Sequence, residues 1–476
     1  MFKTIEDAMQ YVERERVDFV DFKVIDLAGR WHHLTIPAKR LNVHTMTYGI
    51  GFDGSSYGFK TVEKSDMVFI PDLETAFIDP FAKDKTLVFI ANIYNLTGGL
   101  HRYSADPRFI SKKAEDYMKE TGIADYSMFG PEFEFYILDH FSYHLSPHYT
   151  CIDLDSEQAE WNTGHDTSKN TGYKVRHKGG YHIDIPYDVN FDLRNQMVQQ
   201  LEQLDVPVKY HHPEVGGPGQ LEIELMLDSS DKMADRTMKL KYVLKNMAIR
   251  AGKTVTFMPK PFYKEAGNGM HVHMHLFKEG RPLFYDENGY SGMSQMALYA
   301  IGGVLKHSAA LMGITNPSTN SYKRLVPGYE APVSICFATA NRSAVIRIPG
   351  YANAPEDKRF EFRPSDATSN PYLCYSALLM AMLDGIENKI DPLKEGFGPW
   401  DVNIFELPDE DKAKIKGLPT SLFEAADALE ADCDFLLKGG VYTRDIIDNI
   451  LKAIRKDAAE VNTIPHPKEY ELYFDL

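Results

Sequence analysis

Polar and apolar positions alternate strictly in several short stretches of the chain, and the polar positions in them are nearly all charged. In "GPEFEFYIL", Glu132 and Glu134 alternate with Phe133 and Phe135. Because residues i and i+2 of a β-strand point to the same face, the carboxylates share one face and the rings share the other. The pattern recurs in "GQLEIELM", "MHVHMHLF" and "RFEFRPS". The sequence therefore predicts strands with one polar and one apolar face.

Apolar residues that recur every three or four positions predict the helices, and apolar runs between turn residues predict further strands. The predicted helices cover residues 4–15, where Thr4 and Asp7 form a capping pair, and 104–117, 231–250, 371–386 and parts of 406–436. The predicted strands are a hairpin that turns at Ala28-Gly29 and the stretches 66–72, 86–95, 127–138, 179–186, 219–226, 253–259, 270–277, 345–349 and 359–365. This mixture predicts an α+β fold with a domain boundary between residues 103 and 104.

Composition and charge narrow the class of protein. The chain has 476 residues, of which 43% are hydrophobic and 25% charged, which is typical of a globular protein with a sizeable core. Its formal net charge of -16 gives no general attraction to nucleic acid or to an anionic membrane. Its four cysteines form no CxxC pair, which indicates free thiols, and no apolar run is long enough for a signal core or a membrane span. We expect a soluble cytoplasmic protein.

The polar faces of the alternating strands are rich in Glu and His and nearly lack Ser, Thr and Lys. Carboxylates at this density repel one another, and a divalent cation removes that repulsion. Glutamate oxygens with an imidazole and no thiolate suit Mg²⁺ or Mn²⁺. The candidate residues are Glu132, Glu134, Glu222, Glu224, His271, His273, His275 and Glu361 on strands, and Glu214 on a Gly/Pro-rich loop. For Glu224, His273 and His275, a role without direct metal contact fits the pattern equally well.

Arginines accompany these carboxylates in the second half of the chain. They are Arg324, Arg342, Arg347, Arg359 and Arg363. Isolated arginines mostly form exposed ion pairs of small energetic value. Arginines beside metal-binding carboxylates are what phosphoryl transfer requires, because metal ions bridge the phosphate oxygens and Arg stabilises the charge of the transition state. The sequence predicts phosphate chemistry if these side chains converge.

A set of longer motifs resembles the glutamine synthetase family in its type I form. In family order they are "FDGSS" with "SDM", "GPEFEF", "KGGY", "HHPEVGGPGQLE", "TFMPKP", "GNGMHVH", "NSYKRLVPGYEAP", "NRSAVIRIP", "RFEFRPSDATSNPYL" and "IPHPKEYELY". The resemblance implies a β-grasp domain over residues 1–103 and a catalytic domain over 104–476 with a curved antiparallel sheet flanked by helices. It also implies a homo-oligomer, a dodecamer of two hexameric rings with active sites between subunits.

The resemblance also implies roles for individual residues. Glu134, Glu214 and Glu222 would hold one Mg²⁺ or Mn²⁺, and Glu132, His271 and Glu361 a second, with two to three ions per active site. Glutamate would contact Gly267, Arg324, Glu330, Arg342 and Arg363, and ATP would contact Arg342, Arg347, Arg359, His273 and His275. Ammonium would bind at Asp53, Asp66 and Ser56.

The implied reaction is the ATP-dependent ligation of ammonia to glutamate through γ-glutamyl phosphate. Asp53, Glu330 and Arg342 are the implied catalytic residues: Asp53 takes a proton from ammonium in a neighbouring subunit's site, and Glu330 lies on a flap that shields the acyl phosphate from water. The chain departs from the common family pattern at Ala266-Gly267-Asn268-Gly269, where Asn-Gly-Ser-Gly is frequent. Phe405 occupies the position of a modifiable tyrosine, so we expect no adenylylation there.

Three alternatives remain at this stage. A ligase of the same superfamily would join a polyamine or another amine to glutamate, but the intact acidic loop at Asp53 and Asp66 favours ammonium. A metal-dependent hydrolase would not need the set of arginines. A non-catalytic, ring-forming relative would have lost metal ligands, whereas all six implied ligands are present.

Overall fold

A seven-stranded sheet near the N-terminus and a nine-stranded sheet in the rest of the chain organise the molecule. The computed structural model describes residues 2–59, 65–162, 171–327, 331–402, 404–412 and 414–474. The mixed α+β class predicted from the sequence is confirmed. Within the described residues no single helix is long and apolar enough to cross a membrane; one pair of helices bent by 70°, Gln295–Lys306 with Ser308–Thr315, passes by length and composition only, and most of its side chains are buried.

The N-terminal unit packs two helices against a mixed sheet. Its strands are β1 (Phe19–Ile25), β2 (Trp31–Pro37), β3 (Ile50–Asp53), β4 (Asp66–Pro71), β5 (Phe77–Ile78), β6 (Thr86–Asn95) and β7 (His101–Arg102), and its helices are α1 (Ile5–Arg14) and α2 (Val43–Tyr48). The main path of the sheet is β2-β1-β6-β4-β3, in which β1 and β6 are parallel. Thr4 and Asp7 form the predicted capping box of α1, and β1 and β2 form the predicted hairpin.

The strands of the second region build the large sheet and a separate hairpin. They are β8 (Tyr126–Leu138), β9 (His140–Ser146), β10 (Tyr149–Asp155), β11 (Val208–Pro213), β12 (Gln220–Leu225), β13 (Thr254–Thr256), β14 (Met270–Lys278), β15 (Arg281–Pro282), β16 (Ser334–Thr339), β17 (Ala344–Ile348) and β18 (Phe360–Phe362). The main path is β11-β12-β8-β14-β18-β17-β16, and β8 lies at its centre, paired antiparallel with β12 and β14. The hairpin β9–β10 stands apart from this sheet.

The described helices of the second region include several that pack on the large sheet and others that pack on those helices or lie exposed. They are α3 (Pro107–Glu120), α4 (Phe191–Gln203), α5 (Ser230–Arg250), α6 (Gln295–Lys306), α7 (Ser308–Thr315), α8 (Ser321–Arg324), α9 (Pro371–Glu387), α10 (Asp409–Lys412), α11 (Leu422–Ala431), α12 (Asp434–Leu437), α13 (Arg444–Asn462) and α14 (Pro467–Tyr473). Phe133 and Phe135 of β8 are fully buried in the core that these helices share, as alternation predicts. Helix α3 begins at Pro107, later than the predicted residue 104, because Asp106 caps it and proline suits the first helical turn.

One predicted strand is wrong. Residues 179–186, "GGYHIDIP", form turns and irregular backbone. His182 has a φ of 55°, which an extended strand does not accommodate. A Cβ on Gly180 would lie 2.3 Å from the carbonyl oxygen of Glu214, so this segment is pressed against the loop that carries Glu214. Two glycines and a left-handed residue thus override the alternation of apolar side chains.

Candidate active site

The register of the large sheet brings its polar positions side by side. The facing pairs on neighbouring strands are Glu222 with Glu134, Glu224 with Glu132, His271 with Glu132, and His273 with Glu361. The alternation that buries the phenylalanines of β8 therefore gathers Glu and His side chains from β12, β14 and β18 on the opposite face. These side chains fall into two clusters that differ in charge.

The first, which we call the arginine-side cluster, comprises Glu132, His273 and Glu361, whose possible ligand atoms all lie within 4.8 Å of one another. The Nε2 atom of His273 lies 2.8 Å from Oε1 of Glu132 and 3.5 Å from Oε2 of Glu361. His271 joins it through Nδ1, which lies 3.0 Å from Oε2 of Glu132. Burial opposes ionisation of Glu132, but the two imidazoles outweigh it and hold the pKa of Glu132 well below its usual range.

Two arginines supply further positive charge to the arginine-side cluster. Nη1 of Arg347 donates to Oε2 of Glu361 at 3.1 Å, and Nη1 of Arg363 donates to Oε1 of the same carboxylate. Glu361 is fully buried. Burial opposes its ionisation, but the Arg363 guanidinium, with His273 and Arg347, lowers the pKa of Glu361. This cluster therefore carries its own compensating cations.

The second, which we call the acid cluster, comprises His212, Glu214 and Glu222, again with possible ligand atoms within 4.8 Å. Nε2 of His212 lies 3.5 Å from Oε1 of Glu222. Burial, with the charges of Glu134 and Glu222, raises the pKa of Glu214 to about 8. Burial and the neighbouring carboxylates raise the pKa of Glu222 well above its ordinary value. Among the described residues these glutamates have no guanidinium partner of the kind that the arginine-side cluster has, so an added cation would stabilise their ionised form.

Two of the residues implied as metal ligands lie between the clusters. Oε2 of Glu134 accepts a hydrogen bond from the amide of Gly269 at 2.5 Å, and Nε2 of His271 lies 3.9 Å from Oε1 of Glu134. The structure thus brings all six implied ligands onto one face. The donor set, carboxylates and imidazoles without thiolates, fits hard divalent cations.

His212 was missed by the sequence reasoning. It lies two residues before Glu214, near the end of β11, so the same alternation that grouped the other residues could have found it. Its Nδ1 atom lies 3.0 Å from the carbonyl oxygen of Pro213, which selects the tautomer with the proton on Nδ1. The Nε2 lone pair then faces the carboxylates.

A pocket opens on this polar face. Its lining includes Glu132, Glu134, Glu214, Glu222, Gly267, His271, Arg324, Arg342, Arg347 and Arg363. Arg324 is fixed by carbonyl acceptors, since its Nη1 donates to Pro364 at 2.7 Å and its Nη2 to Arg363 at 3.2 Å. A Cβ on Gly267 would lie 2.5 Å from the Pro259 carbonyl and 2.7 Å from Cγ of Arg324, so only glycine fits there.

Asn268 lies outside the pocket lining, as do three of the ATP candidates, His273, His275 and Arg359, whereas Arg342 and Arg347 line the pocket. Asn268 is buried. Its Nδ2 donates to the Met258 carbonyl oxygen and its Oδ1 accepts from Nε2 of Gln220, each at 2.9 Å, so both ends of its amide bond within the protein. His275 is buried edge-on to Phe277 and Phe284, and both ring nitrogens lack a hydrogen-bond partner among the described residues. Burial, with the charge of Arg359, lowers the pKa of His275 to about 3. Arg359 is also buried.

The residues implied for ammonium lie on the N-terminal unit. Hydrogen bonds from the Ser55 hydroxyl and amide, at 2.7 and 2.9 Å, and from the Ser56 hydroxyl at 2.9 Å lower the pKa of the exposed Asp53 to about 2. Asp66 faces Asp53 across the β3–β4 pair. None of these residues lines the pocket of the same chain. Glu330 and the flap tip lie outside the described residues, as does the side chain of Phe405.

Two models of one known protein family match different parts of the chain. Residues 104–473 match the family model "Glutamine synthetase, catalytic domain", and residues 16–96 match "Glutamine synthetase, beta-Grasp domain". Glutamine synthetase of Frankia alni is 47% identical over 479 residues and covers 100% of both chains. That of Aquifex aeolicus is 46% identical over 474 residues, with 99% of both chains covered.

Solved structures agree with the sequence relatives. The cryoEM structure of Plasmodium falciparum glutamine synthetase has a TM-score of 0.88 and 28% identity, with 99% of each chain covered. GmaS without ligand has a TM-score of 0.80 and 25% identity, with 99% of this chain and 100% of that chain covered. The predicted β-grasp unit and the predicted family are confirmed: the chain belongs to the glutamine synthetase family.

Proposed function

We propose that the pocket between the acid cluster and the arginines is the place where this chain makes glutamine. The chain catalyses the ATP-dependent ligation of ammonia to glutamate, with divalent cations. The observation that carries the assignment is the convergence of two carboxylate–imidazole clusters and four arginines on one face of a sheet. That face offers binding sites for divalent cations beside guanidinium groups, which is the arrangement that phosphoryl transfer uses.

We assign Glu134, Glu214 and Glu222 to one Mg²⁺ or Mn²⁺ ion, and Glu132, His271 and Glu361 to the second. His212 and His273 lie beside these sets, 3.5 Å from Glu222 and 2.8 Å from Glu132. When bound, the ions would neutralise phosphate oxygens and polarise the transferred phosphoryl group. The protein's own part is to hold six ligands on four rigid strands and a loop, so that both cation positions are fixed relative to each other.

The arginines are assigned to charge on the substrates. Arg324, fixed by three backbone carbonyls, and Arg363 face the glutamate side, with Gly267 leaving room for close approach. Arg342, Arg347 and Arg359 are assigned to ATP phosphates, with Arg342 also assigned to glutamate. His273 and His275 are assigned to the nucleotide side. As the γ-carboxylate attacks the γ-phosphorus, guanidinium groups near the transferred oxygens stabilise the charge that develops there. Glu330 is assigned to the flap that excludes water.

Ammonium is assigned to Asp53, Asp66 and Ser56 of a neighbouring subunit, because these residues lie away from the pocket of their own chain. With a pKa of about 2, Asp53 stays ionised at neutral pH, which favours binding of a cation there. A dodecamer of two hexameric rings would supply such a neighbour.

Exposed apolar surface supports assembly into an oligomer. The hairpin β9–β10 exposes Phe141, Tyr143 and Ile152, and an isolated two-stranded hairpin is marginally stable in water. The C-terminal segment exposes Tyr473 and Phe474. We also propose a cytoplasmic location, since the four cysteines are free.

The assay that tests this function measures phosphate release by the purified protein with ATP, Mg²⁺ or Mn²⁺ and glutamate, with ammonium or putrescine as the acceptor. We expect phosphate release to follow ammonium and glutamine to accumulate. Release that ignores ammonium but follows putrescine would assign the chain to the amine ligases instead.

Asp53→Asn tests the ammonium assignment. We expect glutamine synthesis to fall by about a hundredfold, because the anion that binds ammonium is lost. Hydroxylamine, which is mostly uncharged at neutral pH, traps γ-glutamyl phosphate as a hydroxamate, and we expect this product to form at a rate close to that of the unsubstituted protein. Asp84→Asn, an exposed carboxylate on the same unit, serves as the control. Equal loss of both products in Asp53→Asn would contradict the assigned role.

A further inference from the structure

Arg342 differs from the other arginines of the pocket in how it is held. Arg347 and Arg363 pair with Glu361, and Arg324 donates to backbone carbonyls. The exposed guanidinium of Arg342 has no hydrogen-bond or ion-pair partner within the described ranges. Among the described residues no hydrogen bond or ion pair therefore aims the Arg342 guanidinium, and its position depends on the backbone that carries it.

That backbone is held by the side chain of Asn341. Nδ2 of Asn341 donates to the carbonyl oxygens of Trp400 at 2.9 Å and Val402 at 2.8 Å. Oδ1 accepts from the amide of Ser343 at 3.0 Å and from its hydroxyl at 2.8 Å. One amide side chain thus uses its full hydrogen-bonding capacity to tie both neighbours of Arg342 to residues 400–402.

Residues 397–402, which we call the anchor segment, are in turn attached to the large sheet. The amide of Phe337 donates to the carbonyl of Phe397 at 3.1 Å, and the amide of Trp400 donates back to the carbonyl of Phe337 at 3.0 Å. Oδ1 of Asp401 accepts from the amide of Thr339 at 2.8 Å. The hydroxyl of Tyr290 lies 2.8 Å from both carboxylate oxygens of Asp401.

Apolar packing reinforces this attachment. Trp400 packs against a small separate core formed by Cys336, Ala338, Ala344 and Ile404. These residues come from β16, β17 and the chain that follows the anchor segment. Residues that do not line the pocket therefore hold the connection 340–343 between β16 and β17, whereas Arg342 in this connection lines the pocket.

We propose that Asn341 is a positioning residue for Arg342, and that the anchor segment sets where the Arg342 guanidinium lies in the pocket. The inference rests on the proposed function, since it concerns an arginine assigned to the phosphates. A displacement of the anchor segment, none of whose residues lines the pocket, would change phosphoryl transfer through Asn341. Small misplacements of a catalytic group are costly, because about 1 Å can change a rate by about a hundredfold.

The test is a double-mutant cycle with Asn341→Ala, Arg342→Ala and the double variant, with kcat and the KM for glutamate and ATP measured on the assembled protein. We expect Asn341→Ala to lower kcat by about 10- to 100-fold, with a rise in the KM for glutamate or ATP no larger than the rise that Arg342→Ala causes. We expect the double variant to be no slower than Arg342→Ala alone, because Asn341 acts through Arg342. Asn353→Ala is the control, since Asn353 is exposed, lies twelve residues further along the chain and, among the described residues, donates from its side chain to one carbonyl, that of Gly350.

Three outcomes would overturn the proposal, and they are distinguishable. Losses that add in the double variant would show that Asn341 acts on the fold at large. An unchanged kcat in Asn341→Ala would show that the clamp is unnecessary. Full activity of Arg342→Ala would remove Arg342 from the proposed function and overturn both claims. If Asn341→Ala does not fold, Tyr290→Phe replaces it, because it removes the hydroxyl that contacts Asp401 of the anchor segment. A loss of kcat in Tyr290→Phe that disappears in the Arg342→Ala background supports the proposal, and a loss that persists there contradicts it.

Discussion

The arginine-side cluster and the acid cluster are built from the same side-chain types on the same sheet face, yet they differ in charge. His273, Arg347 and Arg363 surround Glu361, and its pKa is lowered although it is fully buried. Glu214 and Glu222 of the acid cluster have raised pKa values because burial and neighbouring carboxylates act together. The comparison teaches that the fold itself favours the ionised carboxylates of the arginine-side cluster, whereas it favours the protonated carboxylates of the acid cluster, whose ionised form a bound cation would stabilise.

The largest effect should come from removing the shared carboxylate of the arginine-side cluster. Glu361→Gln leaves the buried Arg363 and the partly buried Arg347 without their carboxylate, and it leaves His273 with Glu132 as its remaining carboxylate partner. We expect the metal-free protein to lose about 3–5 kcal/mol of unfolding free energy, as when one partner of a buried ion pair is removed. Urea unfolding in the presence of EDTA measures this.

Urea unfolding of Glu222→Gln in the presence of EDTA tests whether the acid cluster differs from the arginine-side cluster. Its carboxylate is disfavoured in the ionised form, so we expect the metal-free variant to be as stable as the unsubstituted protein or more stable. If both substitutions destabilise the metal-free protein equally, the two clusters do not differ as described.

The next effect concerns the dependence of the acid cluster on a cation. We expect Glu222→Gln to lower the ligase activity by about a hundredfold or more, because loss of even an outer contact to a metal costs 10- to 100-fold. Titration with Mn²⁺ should show one site fewer. Glu224→Gln is the control, since Glu224 lies on the same strand face but is paired with Lys209 at 2.7 Å. A control variant that loses the same metal site would remove the distinction between the two glutamates.

Features of the fold and of the candidate site that depend on neighbouring residues could be predicted from the sequence, and features that depend on residues far apart in sequence could not. Alternation within single strands predicted β8, β12, β14 and β18 and the residues on their polar faces, because the two-residue period is a local property of the backbone. It failed at residues 179–186, where close approach of Gly180 to Glu214 decides the backbone. The clamp on Arg342 was not predictable from the pattern, since Asn341 and Trp400 are 59 residues apart in sequence.

The pH dependence of Glu214 gives a smaller effect with a definite sign. Because the folded protein favours the protonated form, the metal-free protein should lose stability relative to Glu214→Gln as pH rises from about 4.5 to about 8. We expect the pH-dependent part of the difference in unfolding free energy between the two proteins to vanish below pH 4.5 and to reach on the order of 1–3 kcal/mol near pH 8. With saturating Mg²⁺ the sign should reverse, since metal binding requires the carboxylate. Unfolding curves of the two proteins across this pH range, with and without Mg²⁺, measure the size and the sign of the difference. A difference in unfolding free energy that does not change with pH would contradict the raised pKa of Glu214.

The smallest effect separates two histidines that lie two residues apart on the same strand. His273 contacts Glu132 at 2.8 Å, whereas His275 is buried against Phe277 and Phe284 with neither nitrogen bonded among the described residues. We expect His275→Leu to change the unfolding free energy of the metal-free protein by no more than about 1 kcal/mol, because no hydrogen bond is lost. The KM for ATP should rise a few-fold if the imidazole serves the nucleotide as proposed. His273→Leu should destabilise the metal-free protein more, since Glu132 then loses a buried partner; equal losses in the two variants would place His275 in the arginine-side cluster after all.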